Sequence, residues 1–445
     1  MGAGRGHGRS APPRKSNLKP LHWSKVTRAL RGSLWEELQR HGETQIAPEF
    51  DVSEIETLFS ATVPKTSAGG KAGGKKPAES KPTKVQLIDL KRAYNVEIML
   101  TKVKMPLPDM MVAVLAMDDS TLDADQVENL IKFCPKKEEM ELLKNFVVVD
   151  CVGCFDFFQF FLELMKAPRV ESKLRVFLFK IQFNSQVFDF RKSLNVVNSA
   201  CEEVRNSLKL KEIMKKILYL GNTLNQGTAR GSAIGFKLDS LLKLTDTRAT
   251  TGKMTLMHYL CKLTHSSAVF KVNQFTGSYQ VNRIDQVLAS KTPDLLDFHK
   301  DLINLEAATK IQLKQLAEEM QAIGKGLEKV KQELAASEND GPVSEIFHKT
   351  LKEFVGAAES EVSSVTNLYS VAGRNCDALT LYFGEDPARY PFEQVTATLL
   401  NFVRLFQKAH EENCKEAELE KKKAQKEAEM ENAKEKNLTK KEVKD

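Results

Sequence analysis

The sequence has little cysteine, little glycine and proline, and no long apolar run. Its seven cysteines are an odd number spread over 445 residues, which argues against a disulfide framework and favours a reducing compartment. Glycine and proline number 23 and 15, too few for a turn-rich all-β protein. The most apolar stretch, residues 155–165, contains two acidic side chains and is shorter than the about 20 residues that a membrane span needs. We therefore expect a cytoplasmic protein with no membrane span, because the N-terminus also lacks the apolar core of a secretory signal.

Charge is abundant but nearly balanced. The formal net charge is +7, from 66 basic and 59 acidic residues. An excess of this size suits an acidic protein surface as well as nucleic acid. The tail at 408–445 carries eleven lysines and eleven acidic residues, whereas a nucleic-acid-binding arm would be lopsided in charge. We expect protein partners and no nucleic acid.

Motifs for catalysis, metal binding and nucleotide binding are missing or incomplete. The CVGC sequence at 151–154 has no second cysteine pair at zinc-site spacing, and its apolar flanks favour core cysteines. The glycine-rich stretch 221–236 lacks the Gly-Lys-Ser/Thr ending of a phosphate loop and follows a helical pattern rather than a strand. The sequence predicts no catalytic residues, no metal site and no cofactor. A nucleotide-handling enzyme built on the 221–235 glycines is the alternative.

Helical periodicity dominates most of the chain. No run of period-two alternation is convincing, so we predict an all-α fold. Apolar residues recur every three or four positions across 302–334 and again across 347–368, with turn residues at 339–342 between them. This pattern predicts two long helices packed as an antiparallel hairpin, and hence an elongated body. Gly324 and Gly326 interrupt the first helix at a cost of about 1 kcal/mol each.

The first ordered block, residues 18–63, carries the only two tryptophans, Trp23 and Trp35. Ser33 followed by Glu36 is typical of a capping box, which predicts a short helix with Trp35 in its first turn. Apolar residues are otherwise sparse in this block, and it is too short to form an independent core. We expect it to pack against a surface supplied from elsewhere.

Two segments of low apolar content flank that block. Residues 1–17 are rich in glycine, arginine and proline and are predicted to be disordered. Residues 64–84 form a linker with six lysines and one glutamate. As a flexible coil it would span roughly 25 Å. Its lysines are interpreted either as solvating the linker or as contacting an acidic partner.

The stretch 216–263 is the most informative part of the sequence. An amphipathic helix is predicted to end at Gly221, and two short helices follow a loop punctuated by glycines. Asn222 and Asn225 have short amide arms suited to tying this loop by hydrogen bonds to the backbone. From the residues alone, the stretch is either a well-tied surface loop or a docking socket for an aromatic side chain. The apolar rim of that socket would be Leu224, Ile234 and Phe236.

Four separated motifs resemble the formin homology 2 domain, in the order of that family. They are LKPLHWSKV at 18–26, IDLKRAYNVEIML at 88–100, GNTLNQG with GSAIGFKLDSLLKLTDTR within 221–248, and YFGED with FVRLFQKAHEEN within 382–413. The resemblance covers roughly residues 18–415. The N-terminal motif and the Lys- and Gly-rich linker are similar to plant formins of the second class.

The resemblance implies a head-to-tail ring dimer, in which the lasso of one subunit wraps the post of the other. Trp23 and Trp35 would be the lasso anchors; the alternative for each is a partner within its own subunit. The post socket would consist of Gly221, Asn222, Asn225 and Gly227. The implied segments are the lasso at 18–63, the linker at 64–84, a knob at 85–185, a post-containing helical region at 186–299, the coiled-coil-like hairpin with C-terminal helices at 300–415, and a charged helical tail at 416–445.

The resemblance also implies an actin partner. Such a ring encircles the barbed end of a filament, nucleates filaments and stays bound while subunits add. Ile98 stands where the family carries a knob isoleucine that contacts actin, and Arg92, Arg248 and Lys253 are the basic candidates. Arg248 replaces a lysine that relatives usually have, which keeps the charge but changes its geometry. The alternatives are an ordinary core isoleucine at 98 and solvated charges at Arg92 and Lys253.

We therefore predict a dimeric, non-enzymatic actin nucleator and barbed-end elongation factor of the cytoplasm and cytoskeleton. Profilin-bound actin would reach it through a proline-rich region upstream of this chain. The alternative is a helical cytoskeletal scaffold that binds or bundles microtubules as well as actin, through the basic linker.

Overall fold

The computed structural model describes residues 19–40, 55, 90–145, 155–250, 252–265 and 295–442. The predicted tail at 1–17, the linker at 64–84 and the CVGC sequence at 151–154 lie outside these residues. The described residues are almost entirely helical, which confirms the all-α prediction. Their two strands are only two residues long each, and they pair antiparallel.

Helices account for most of the described residues. In chain order the elements are β1 (Lys25–Val26), α1 (Leu34–Arg40), α2 (Leu90–Val103), α3 (Leu107–Ala116), α4 (Ala124–Lys132), α5 (Lys137–Asn145), α6 (Phe155–Met165), α7 (Val170–Asn206), α8 (Leu208–Leu224), β2 (Gly235–Phe236), a 3₁₀ helix (Leu238–Thr245), α9 (Leu256–His265), a 3₁₀ helix (Leu295–Asp301), α10 (Leu305–Ala308), α11 (Leu313–Ser337), a 3₁₀ turn (Pro342–Ser344), α12 (Glu345–Tyr382) and α13 (Phe392–Glu442).

The chain divides into two compact units. The first contains the described residues of 1–66, 195–313 and 372–445, and the second those of 67–194 and 314–371. The long helices α7 and α12 contribute residues to both. In the first unit, Phe298 packs edge-on against Phe406 with ring centroids 5.1 Å apart, and Phe402 lies 5.9 Å away. These aromatic contacts attach the 3₁₀ helix at 295–301 to α13.

The second unit has one apolar core formed by α2, α3, α4, α6, the first part of α7, and the helices α11 and α12. The start of α4 shows how local sequence sets the helix ends. Asp123 accepts a hydrogen bond from the Gln126 main-chain nitrogen at 2.8 Å, and Gln126 accepts one from the Asp123 nitrogen at 2.9 Å. Leu122 and Val127 on either side are buried. This is a capping box with its hydrophobic staple.

The helices α11 and α12 form the predicted antiparallel hairpin. Lys331 of α11 pairs with Glu359 of α12 at 2.8 Å, and Ser337, nearer the turn, lies 3.0 Å from His348. The turn falls at the predicted place, where Gly341 adopts a positive φ of 74°. The first seam begins later than predicted, because α11 starts at Leu313 and the preceding residues form separate short turns. The buried seam residues are Leu316, Ile323, Leu327, Val330, Phe347, Leu351, Ala358 and Val365.

The two glycines inside α11 have different surroundings. A Cβ on Gly324 would meet nothing within 4 Å. A Cβ on Gly326 would overlap the Phe179 ring of α7. Gly326 is therefore needed for close packing of α7 on the hairpin, whereas Gly324 has no packing role in the described residues.

Four charged side chains join the start of α7 to the hairpin turn. Lys173 is fully buried and contacts both Glu333 and Asp340, while Arg169 donates to the same two carboxylates at 3.0 and 2.8 Å. Lys173 Nζ also lies 5.0 Å from the centre of the Phe347 ring. The buried Lys173 and the partly exposed Arg169 together compensate the two buried carboxylates, which is the condition under which such buried charges are tolerated.

The last helix, α13, continues far beyond the first unit's core. Its residues from 414 to 431 are all exposed. These residues cover part of the segment 416–445 that was predicted to be a charged helical tail, and they are helical and exposed.

Candidate functional site

The N-terminal arm, which we define as residues 19–40, packs against the loop that follows α8 and against the end of α12. β1 pairs with β2, so that Lys25 lies opposite Phe236 and Val26 lies opposite Gly235. Two further main-chain bonds flank this pairing, from the Lys237 nitrogen to the Ser24 oxygen at 2.8 Å and from the Ile234 nitrogen to the Val26 oxygen at 3.1 Å. This short ladder sets the register that brings both tryptophans of the arm to their pockets.

Trp23 lies against Gly221. Its indole stacks on Phe236 with ring centroids 5.7 Å apart, and its Nε1 donates to the Arg230 oxygen at 3.1 Å. A Cβ on Gly221 would overlap the indole. The predicted helix end at Gly221 is wrong: α8 continues to Leu224. The glycine serves instead to let an aromatic ring lie directly on the helix backbone.

Trp35 occupies a second pocket beside the first. It is 1% exposed, its ring centroid is 4.7 Å from that of Phe236, and its Nε1 donates to the Phe383 oxygen at 3.2 Å. A Cβ on Gly235 would overlap this indole, and Gly384 lies at its edge. Both tryptophans therefore pair a buried ring with a satisfied N–H, which is the arrangement that makes tryptophan an effective anchor.

The YFGED motif at 382–386 forms one wall of the Trp35 pocket. Glu385 is buried and accepts hydrogen bonds from the Leu238 nitrogen at 2.9 Å and from Lys237 Nζ at 3.0 Å. The Tyr382 hydroxyl lies 3.3 Å from a Glu37 carboxylate oxygen. Burial, reinforced by that carboxylate, raises the pKa of the Tyr382 phenol. The motif was recognised in the sequence, but its contact with the arm was not predicted.

The two predicted asparagines tie the loop and the arm to α8. Asn222 exchanges hydrogen bonds of 2.8 and 2.7 Å with the main chain of Ala233. Asn225 is fully buried and donates to the Leu21 oxygen of the arm at 3.2 Å. Gly227 turns the chain with a φ of 73°. The four predicted socket residues therefore lie together. Phe236, which was predicted for the apolar rim of the socket, is the residue whose ring both tryptophans contact.

In this structure, both tryptophans have their partners within their own chain. The two indoles also occupy the space beside Gly221 and Gly235, the glycines that suggested a phosphate loop. The role of these pockets in dimerisation remains a prediction.

The predicted actin contacts lie in different units of the chain. Ile98 is on α2 in the second unit and is 53% exposed, whereas Val96 and Met99 beside it are buried. Arg92 is in the same helix, and its side chain lies outside the described residues. Arg248 and Lys253 are exposed in the first unit.

The two described basic residues belong to one β-like turn, which we call the basic hairpin and define as residues 247–250 and 252–256. Arg248 pairs with Thr255, and the Leu256 nitrogen donates to the Thr247 oxygen at 2.8 Å. Lys19 of the arm donates to the Arg248 oxygen at 3.0 Å. This lysine was not among the predicted contact residues, although it stands in the LKPLHW motif.

Three basic residues at the basic hairpin have no ion-pair partner among the described residues. Lys19, Arg248 and Lys253 form no ion pair with any residue that the structure describes. Three positive side chains at the basic hairpin favour an acidic ligand.

Among the described residues, no helix has the length and apolar character required to cross a membrane. In the same ranges, no group of three or more histidine, cysteine, aspartate or glutamate side chains is placed to hold a metal ion.

Comparison with known proteins identifies the family of this chain. The family model described as the Formin Homology 2 Domain matches residues 8–407. The chain therefore belongs to the formin homology 2 family, as the four sequence motifs predicted.

Its relatives include plant formin-like proteins. It is 68% identical to Formin-like protein 20 of Arabidopsis thaliana, over the whole of this chain and 26% of that protein. It is 64% identical to Formin-like protein 5 of Oryza sativa subsp. japonica, over 96% of this chain and 25% of that protein. Formin-like protein 17 of Arabidopsis thaliana is 61% identical over 94% of this chain and 79% of its own length. The chain thus spans about a quarter of the first two relatives.

Proposed function

We propose that this chain is an actin-assembly module that works as a dimer, nucleates filaments and remains at the barbed end while subunits add. The observation that carries the proposal is the match to the formin homology 2 family across residues 8–407. The mechanism is binding rather than a chemical step. Two copies would hold neighbouring actin subunits in the orientation they have in a filament, which stabilises the scarce nucleus.

Ile98 is suited to the knob contact with actin. Its side chain is 53% exposed, and the buried Val96 and Met99 fix the helix that presents it. Full burial of an aliphatic side chain of this size is worth about 1.5–3 kcal/mol. An exposed aliphatic group on a well-packed helix supports a role in binding, because the fold gains little from its exposure.

The basic hairpin supplies a second type of contact. Lys19, Arg248 and Lys253 are positive and unpaired among the described residues. The surface of actin is acidic, so these charges would attract it and orient the encounter. Contacts of two kinds, one apolar and one basic, would allow each half of the dimer to release while the other holds.

The tryptophan pockets would close the dimer. They are formed by residues of the post and of the YFGED motif, and residues 41–89 join the arm to α2. The same pockets would accept the arm of a second copy, because the contacts do not depend on which chain supplies the arm. Each anchor would contribute about 2–4 kcal/mol.

The actin contact is tested by comparing Ile98→Ala with Val112→Ala. Val112 is also in the second unit and is 64% exposed, so it is a matched control. In assembly assays with fluorescent actin, the Ile98 variant should lose nucleation, and the Val112 variant should resemble the unmodified chain. Normal assembly by the Ile98 variant would contradict its assignment.

The exchange of arms is tested by an engineered disulfide. The Ser24 nitrogen lies 3.2 Å from Ser240 Oγ, so cysteines at these two positions would report where the arm docks. Cys414 is the exposed cysteine among the described residues, and Cys414→Ser therefore provides the background. Oxidised Ser24→Cys/Ser240→Cys protein should migrate at twice the chain mass of 50.0 kDa. Cross-linked species of single-chain mass only would show that the arm docks on its own body and would contradict the ring.

Three further expectations belong to this proposal. Profilin-bound actin would be delivered by a proline-rich region outside this chain, and the protein would act in the cytoplasm on the cytoskeleton. Microtubule binding through the linker at 64–84 is the alternative activity. Deleting the linker should abolish co-sedimentation with microtubules and leave actin assembly intact if that alternative holds.

A further inference from the structure

His258 joins the basic hairpin to α13. It lies in the first turn of α9, directly after the hairpin, and its side chain is 16% exposed. The Thr255 main-chain nitrogen donates to His258 Nδ1 at 3.3 Å, and Thr255 Oγ1 lies 2.7 Å from the same atom. His258 Nε2 lies 2.8 Å from a Glu412 carboxylate oxygen. Because a main-chain N–H points at Nδ1, the ring proton is assigned to Nε2, from which it donates to Glu412.

The hydrogen bonds of His258 connect it to Arg248 through a single residue, Thr255. Thr255 is the residue that pairs with Arg248 across the hairpin. The imidazole therefore fixes the strand opposite Arg248, within a hairpin whose turn contains Gly252 with a φ of 78°. A second hydrogen bond also holds His258 to α13, because Asn413 of α13 donates to the His258 main-chain oxygen at 2.9 Å.

We propose that His258 is a positioning residue for the binding of an acidic partner by Arg248 and Lys253, and that Glu412 is its anchor on α13. Neither residue touches the partner. Binding through long basic side chains costs the conformational entropy of ordering them. A hairpin that two hydrogen bonds already hold at one end loses less conformational entropy when the partner binds. The inference rests on the proposed function, since it presupposes that the basic hairpin contacts actin.

Four variants separate the two halves of the connection. His258→Ala removes both, and His258→Asn keeps an acceptor where Nδ1 lies. Glu412→Gln weakens the anchor, and Glu416→Gln, an exposed residue further along α13, is the control. The readout is the affinity for filament barbed ends, measured from inhibition of elongation with fluorescent actin at several salt concentrations.

We expect His258→Ala to weaken barbed-end binding roughly fivefold to tenfold, the effect of losing one or two hydrogen bonds. His258→Asn should recover most of that loss. Glu412→Gln should give an intermediate loss, and Glu416→Gln none. An Asn variant as weak as the Ala variant, or an Ala variant as tight as the control, would overturn the proposal. If His258→Ala fails to fold, the Asn and Gln variants carry the test.

A positioning role differs from general destabilisation in its dependence on the basic side chains. In an Arg248→Ala/Lys253→Ala background, His258→Ala should have no further effect on the residual binding. A loss of the same size in that background would show that His258 acts on the fold as a whole and would overturn the proposal. If Arg248→Ala/Lys253→Ala itself binds barbed ends normally, the basic contact and this inference are both wrong. If Arg248→Ala/Lys253→Ala weakens barbed-end binding but the His258 variants do not, the inference about His258 alone is wrong.

Discussion

Substitution of Gly221 by alanine sets two opposite effects against each other at one position. Gly221 lies inside α8, where alanine should stabilise the helix by about 1 kcal/mol. The new Cβ would, however, overlap the indole of Trp23, which would have to leave its pocket. Truncating a buried tryptophan costs about 3–5 kcal/mol. We therefore expect the loss to exceed the gain by about 2 kcal/mol or more, which weakens docking of the arm roughly thirtyfold.

Intrinsic fluorescence can report this change because both tryptophans of the chain are in the arm. In a Trp35→Phe background, the remaining emission comes from Trp23 alone. Gly221→Ala should shift that emission to longer wavelength as the indole becomes solvated.

Gly324→Ala is the matched control, since it also replaces a helical glycine but meets nothing within 4 Å. It should leave the emission unchanged and raise the free energy of unfolding by up to about 1 kcal/mol. Unchanged emission together with a more stable protein for Gly221→Ala would contradict the overlap between the new Cβ and Trp23.

Three other predictions concern the second unit. Gly326→Ala should lower its free energy of unfolding by about 1–3 kcal/mol in urea, because the added methyl group overlaps Phe179; a gain in stability would contradict this. Lys173→Met should cost about 3–5 kcal/mol in the same assay, because it leaves two buried carboxylates without their buried cation, and a loss below about 1 kcal/mol would count against it. Burial alone would raise the pKa of Asp340, but hydrogen bonds from Arg169 and Lys173 outweigh burial and lower it. A carboxyl group with a lowered pKa stabilises the fold above about pH 4 and loses that contribution as the pH falls through its folded pKa, so Asp340→Asn should flatten the acid limb of the stability curve.

The antiparallel hairpin of α11 and α12 could be predicted from the sequence because the residues that determine it are close together in the chain. Apolar residues spaced by three and four fix the seam, and a turn cluster fixes the point of reversal. The capping box at Asp123 and Gln126 has the same character, since every atom it needs lies within four residues. The exposed charged part of α13 follows from its lack of an apolar face.

The errors and omissions share a different cause. Gly221 resembled a helix end because its reason for being glycine lies almost two hundred residues earlier, in Trp23. Gly326 resembled a flaw in the seam because its reason is Phe179, on another helix. Lys19 could not be associated with Arg248 without the arm in place. In each case a side chain distant in sequence decides the residue type, and local periodicity carries no trace of it.

The construction of the pockets bears on how a dimer would be specified. The indole N–H groups of Trp23 and Trp35 donate to the main-chain oxygens of Arg230 and Phe383, and their rings lie on glycines. These are contacts with the backbone of α8, of the loop after it and of the YFGED motif, and they are the same whichever chain supplies the arm. The pockets therefore fix the affinity of the arm but not its origin. The choice between closure on one chain and exchange between two depends on the free-energy cost of spanning each distance with residues 41–89. Selection for a ring would consequently act on the length and composition of that connection, while selection for tight docking would act on the glycines and tryptophans.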